Sequence, residues 1–241
     1  MEIIKVANYE EMSTVAGKRI AERVRNNPNI VLGLATGSTP QGVYQYLIHD
    51  FKINGTSYKN VTSVNLDEYV GMDPEDPNSY HYFMRKNLFD HINMVNENVH
   101  VPNGVANNLD EECIRYEQGI KELGGIDLQL LGIGENGHIG FNEPGTPFSS
   151  RTHIVTLSEN TRKANSRFFA SIEDVPKQAI TMGIATILDS REILLLASGE
   201  KKAKAVARLV KQGISEDFPA SSLKQHKNVT IIADQDALKY S

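Results

Sequence analysis

The chain has 241 residues, 40% of them hydrophobic and 23% charged, with a formal net charge of −5 at pH 7. This is ordinary globular composition, long enough to bury one large core, and it excludes disordered, collagen-like and coiled-coil classes. No run of Lys or Arg exceeds a pair, which leaves no footprint for a sequence-independent grip on nucleic acid, and the single cysteine, Cys113, can form neither an internal disulfide nor a multi-cysteine zinc site.

The first residues, MEIIKVANYEEM, carry acids where a signal peptide would carry bases, and no apolar run approaches the roughly 20 residues that span a bilayer. A cytoplasmic protein with no membrane or nucleic-acid partner is the expectation. Short apolar runs then recur at Glu2 to Val6, Ile30 to Ala35, Val61 to Leu66, Ile126 to Ile133, Ala179 to Gly183, Ile193 to Ala197 and Val229 to Ala233. Such runs suit strands buried on both faces of a parallel sheet. Between the first two, Asn8 and Glu11 read as a capping box, and Met12, Val15, Ala16, Ile20 and Val24 share one helical stripe. Further helices are predicted over Gln41 to Ile53, Ser79 to Phe89, Leu109 to Leu123, Glu159 to Phe169 and Lys201 to Lys211. The alternation predicts one α/β domain over residues 1–241, a doubly wound, mostly parallel sheet flanked by helices. The stretch Asn142 to Arg151 holds Pro144 and Pro147, so it reads as an elaborated loop rather than a crossover helix. A lid-like segment over the strand C-terminal ends, Asn142 to Ser171, is expected there.

Ligands of open α/β sheets bind at the strand C-terminal ends. The run LATGSTP places Thr36, Gly37, Ser38 and Thr39 just before Pro40, at a predicted helix start. Backbone N–H groups and hydroxyls there suit a phosphate, although the same pattern also serves a plain helix cap. The Walker lysine is missing, which disfavours a nucleotide.

In LDEYVG, Asp67 and Glu68 stand where a strand should stop, and their opposite orientations let only one aim at a given ligand; Asp67, coming first, is the candidate. Asp73, Glu75 and Asp76 read as a solvated loop. A divalent metal held by this cluster is poorly supported, because no nearby histidine spacing gives a recognised ligand set.

Gly132, Gly134 and Gly137 satisfy GxGxxG, but HIGFNEPGTP follows instead of a helix, which argues against a dinucleotide site. The glycines would instead let the backbone turn so that Asn136, His138 and Glu143 crowd one spot, an arrangement suited to a proton relay. Arg167, within NSRFF, and Lys202, within ASGEKK, are isolated cations. A solvated surface charge is the alternative reading of each.

Taken together, LATGSTP, NLDEYVG, NSYHYFM, GIGENGHIGFNEPG, LSENTRKANSRFF and ASGEKKAKAV closely resemble the glucosamine-6-phosphate deaminase family, in that family's order, from about Ile4 to Ala233. The resemblance implies a Rossmann-like fold and reversible conversion of glucosamine 6-phosphate and water to fructose 6-phosphate and ammonia, without cofactor or metal. Asp67 matches the base that moves a proton between C2 and C1. His138 matches the ring-opening histidine, with Glu143 and Asn136 at its relay positions. Gly37, Ser38 and Thr39 match the phosphate loop, with Arg167 and Lys202 as its cationic clamp.

Two departures stand out. Several members carry aspartate at the place of Asn136, and an amide orients His138 without sharing its proton. His153, Val155, Thr146 and Pro147 replace basic and hydroxyl residues that resemble those of the effector site in hexameric members, and the chain stops at Ser241. Hyperbolic kinetics and a monomer or small homo-oligomer are therefore expected. Competing readings are a 6-phosphogluconolactonase, whose pattern resembles DER and GHTASLFP, a non-catalytic sugar-phosphate-sensing domain, and a phosphosugar isomerase that does not deaminate. A sensor of that kind would carry a helix-turn-helix extension ahead of residue 1, and none is expected here.

Overall fold

The computed structural model describes residues 1–166 and 169–241. Strand β1 (Glu2–Val6) leads into helix α1 (Tyr9–Asn26), whose N-cap Asn8 side chain accepts from the Glu11 amide at 2.9 Å while the Glu11 carboxylate accepts from the Ala7 amide at 2.6 Å. The capping box thus forms with its return bond shifted by one residue. Then follow β2 (Val31–Leu34), α2 (Gln41–Asn54), β3 (Thr62–Asn65), β4 (Asp67–Tyr69), α3 (Tyr80–Asn87), β5 (Val99–His100), α4 (Leu109–Glu122) and β6 (Leu128–Gly132). The remainder is β7 (His153–Thr156), α5 (Glu159–Asn165), β8 (Gln178–Thr181), α6 (Ile184–Leu188), β9 (Glu192–Ala197), α7 (Ala203–Lys211) and β10 (Val229–Asp234).

Seven strands form one sheet in the order β1-β10-β9-β6-β2-β3-β5, with every pairing parallel. The central strands alternate their side chains between two cores. Leu32, Leu34, Leu128, Leu130, Leu194 and Leu196 pack with Met12, Ile20, Val43, Leu47 and Met84 of α1, α2 and α3. Val31, Val64, Leu131, Ile193 and Leu195 pack on the other face with Ile120, Ile187, Val206 and Leu209 of α4, α6 and α7. Full burial of each such Leu or Ile contributes roughly 1.5–3 kcal/mol, which is why these strands are apolar on both sides. The fold is the Rossmann-like α/β architecture expected. Strand order reverses between β2 and β6, because the chain continues from β2 toward β3 and β5 on one side and from β6 toward β9 and β10 on the other. A crevice opens at the C-terminal ends of the strands at such a point.

One expectation is corrected. The run at 179–183 is not a member of the parallel sheet: β8 pairs antiparallel with β4 and with β7 in a separate three-stranded sheet. An apolar run signals a buried strand but carries no information on its direction. Residues 142–151 form a loop as expected, after which β7 makes an edge of that small sheet and α5 follows it. Tyr69, Phe141, Leu157 and Ala179 make a third apolar cluster beside the small sheet.

Candidate active site

The loop between β2 and α2 is held from three sides. The Tyr9 hydroxyl donates to the Ser38 carbonyl at 2.9 Å and accepts from the Gly42 amide at 2.8 Å. The Tyr44 hydroxyl donates to the Ala35 carbonyl at 2.5 Å, and Thr36 hydrogen-bonds Tyr80 of α3. Gly37 has φ +95°, and the N-cap, Pro40, offers no side-chain acceptor to the first amides of α2. Gly37, Ser38 and Thr39 therefore lie on a braced turn leading into a helix start, a setting whose amides suit an anion.

Asp67 and Glu68 do not end a strand; they begin β4, and both are buried, at 6% and 2% exposure. Their side chains have different surroundings. Glu68 accepts from the amides of Tyr69 (2.8 Å), Tyr80 (3.0 Å) and His81 (2.9 Å), so it caps the start of α3. Burial pushes Glu68 up to about 7, with the three amide bonds opposing the rise. Asp67 faces the loop after β6: a Cβ built on Gly140 would lie 3.7 Å from Asp67 Oδ2. Burial, reinforced by the Glu68 charge, pushes the Asp67 carboxyl up to about 8. A carboxylate so poorly solvated is a stronger base than one in water.

The loop after β6 brings Asn136, His138 and Glu143 together. Asn136 Nδ2 donates to Glu143 Oε2 at 2.6 Å, and its Oδ1 accepts from the His138 amide at 3.2 Å. His138 Nδ1 stands 3.9 Å from Glu143 Oε1, beyond hydrogen-bond range, and has no partner among the described residues. A catalytic contact is commonly loose before substrate binds. Burial lowers the His138 pKa and the Lys202 charge lowers it further, while Glu143 opposes both. The imidazole ring lies over Gly134, where any Cβ would collide with it, and Gly137 turns the backbone at φ +88°. Gly132 has neither a positive φ nor a close neighbour, so the first glycine of the fingerprint has no such role.

Lys202 follows β9 in a single 3-10 turn (Glu200–Lys202), and its charge is among the causes that lower the His138 pKa. Arg167, expected as the second cation, lies outside the described residues. Sequence reasoning missed the hydroxyls of Ser158 and Thr161: Thr161 donates to Glu143 Oε1, and Ser158 reaches the same oxygen at 3.4 Å. The N-cap pattern of Ser158 before α5 was the available signal, but a cap pattern does not say which carboxylate lies opposite. It missed too the aromatic bracket of Tyr69, Tyr80 and Phe141. The Tyr80 and Tyr69 hydroxyls bond at 3.1 Å, and the Tyr80 and Phe141 rings stack at 6.1 Å. Tyr80 thereby ties the β2 loop to the loop after β6. Among the described residues no group of three or more His, Cys, Asp or Glu is arranged to hold a metal ion.

Residues 7–232 match the family model described as glucosamine-6-phosphate isomerases/6-phosphogluconolactonase. The chain belongs to this family. It is 59% identical over 238 residues to a glucosamine-6-phosphate deaminase of Geobacillus sp. (strain WCH70), covering 99% of this chain and 95% of that one. It is 53% identical over 237 residues to glucosamine-6-phosphate deaminase 1 of Bacillus subtilis (strain 168), covering 98% of each. Among solved structures, a monomeric glucosamine-6-phosphate deaminase superposes with a TM-score of 0.99 at 52% identity over 100% of both chains. A 6-phosphogluconolactonase from Trypanosoma brucei superposes at 0.78 with 20% identity, over 99% of this chain and 97% of that one; it shares the fold.

Proposed function

We propose that the chain, acting over residues 1–241 as one domain, is a glucosamine-6-phosphate deaminase that converts glucosamine 6-phosphate and water reversibly to fructose 6-phosphate and ammonia. The observation that carries this reading is identity of 53–59% with deaminases over essentially the whole of both sequences. The site is suited to each step. The closed sugar is unreactive at C2 until it opens to the aldehyde, and His138, oriented by Asn136 and Glu143, exchanges the proton of the ring oxygen. Asp67 then removes the acidified C2 proton and returns it to C1. This leaves a ketose imine, to which water adds at C2 with loss of ammonia. Gly37, Ser38 and Thr39 take the phosphate, with Lys202 and Arg167 supplying the opposing charge, so that a flexible open chain is held in register. The chain works as a monomer with hyperbolic kinetics, in keeping with the monomeric relative that it superposes on.

A lactonase reading finds less support. The lactonase relative is only 20% identical, against 53–59% for the deaminases. The reading is tested by offering the enzyme glucosamine 6-phosphate and 6-phosphogluconolactone in parallel. Ammonia and fructose 6-phosphate formed in equal amounts from the first, with no hydrolysis of the second, is the expected result. Hydrolysis of the lactone with silence toward the amino sugar overturns it.

A further inference from the structure

At the C-terminal end of β10, Asp234 is buried at 4% exposure, yet it lies outside the groups assigned to the reaction. Its carboxylate collects donors from two separate segments. Ser198 Oγ donates at 2.5 Å and the Gly199 amide at 3.1 Å to either oxygen, both from the turn that follows β9. The Ala237 amide donates at 2.8 Å from the turn that follows β10. Gly199 holds φ +85°, and its carbonyl accepts from the Lys202 amide at 3.0 Å. The path from Asp234 to Lys202 is therefore two hydrogen bonds and one tight turn. β9 and β10 are paired in register up to Ala197 and Ala233, so the anchor stands on the two adjoining strand ends.

A carboxylate that accepts three charge-assisted bonds fixes such a turn more firmly than a neutral acceptor would. The consequence falls on Lys202, whose long side chain carries considerable rotamer freedom and whose backbone origin decides which region its ammonium can reach. We propose that Asp234 is a positioning residue for phosphate recognition: it fixes the turn 198–202 so that Lys202 is delivered to the anion beside His138. This rests on the reading of Lys202 as part of the phosphate clamp.

Asp234→Ala, Asp234→Asn, Ser198→Ala and Lys202→Met are compared in the full chain by three readouts: KM against kcat, competitive inhibition by inorganic phosphate, and the NMR titration of His138 without substrate. Lys202→Met weakens phosphate inhibition on the order of tenfold, and, because the Lys202 charge lowers the His138 pKa, its loss moves the His138 midpoint upward. Asp234→Ala follows in both directions, with a rise in KM that outweighs the fall in kcat. Asp234→Asn is milder, since its amide can donate to a reversed Ser198 hydroxyl while its oxygen keeps the Gly199 amide. Ser198→Ala removes a single donor and supplies the test if Asp234→Ala does not fold. A merely structural role lowers the melting temperature and leaves the His138 midpoint in place. If Lys202→Met shifts phosphate inhibition and the His138 midpoint while the Asp234 and Ser198 variants shift neither, the inference is overturned. If Lys202→Met itself leaves phosphate inhibition unchanged, the clamp reading fails and the inference falls with it.

Discussion

Asp67→Asn keeps the shape of a buried side chain while deleting its charge, so stability should rise where activity is lost. In the folded protein, burial and the Glu68 charge hold the Asp67 carboxyl at about 8, whereas in the unfolded chain it returns to its ordinary value of 3.8. Between those values the folded state binds the proton and the unfolded state does not, so wild-type stability falls as pH rises. The contribution is intact below the unfolded value and is lost by the time pH has risen through the folded one. Each pH unit inside the window is worth on the order of 1.4 kcal/mol. From about pH 5.5 to about pH 8 the wild type therefore loses up to roughly 3 kcal/mol that the amide variant retains. For a chain of this length that is a difference in Tm of about 6 to 12 °C. Thermal melts of both proteins at half-unit steps across this range measure it. The account requires the Tm difference to widen toward alkaline pH and level off above 8, and two curves that stay parallel would refute the burial argument for Asp67.

Gly134→Ala places a methyl in the space of the His138 ring, so turnover should fall at least tenfold while circular dichroism stays native. Thr161→Val removes a hydroxyl bonded to Glu143 Oε1; kcat should drop about tenfold, with Thr161→Ser recovering most of it, and equal kinetics for Val and Ser would count against a role for that bond. Because Asn136 orients the relay without titrating, Asn136→Asp should alter the ring-opening limb of the pH–rate profile; an unchanged profile contradicts the assignment of that limb to His138 and Glu143. Tyr9→Phe releases both the Ser38 carbonyl and the Gly42 amide, and KM should rise about threefold with kcat nearly kept, as steady-state kinetics would reveal.

The layered fold was legible because its signals are local or periodic. Continuous apolar runs marked the parallel strands, and Asn8 with Glu11 marked the start of α1. Direction and pairing were not legible: nothing in Ala179 to Gly183 says that β8 turns away from the main sheet to meet Asp67 and His153. The grouping of Asn136, His138 and Glu143 could be read because all three lie on one turn of chain. Partners from distant segments could not, since Thr161 against Glu143, Tyr80 against Thr36 and Asp234 against Ser198 depend on how the strand ends are arranged. Alternation along the strand separates Glu68 from Asp67 already in the sequence, but the task of Glu68, accepting the first amides of α3, depends on a segment that folding brings to it.

The most direct test of the central claim follows ammonia and fructose 6-phosphate together during turnover of glucosamine 6-phosphate by wild type and by Asp67→Asn. The account predicts equal amounts of both products from wild type and a loss on the order of 100-fold or more in the variant, with inorganic phosphate still bound normally. Undiminished turnover by Asp67→Asn would contradict it.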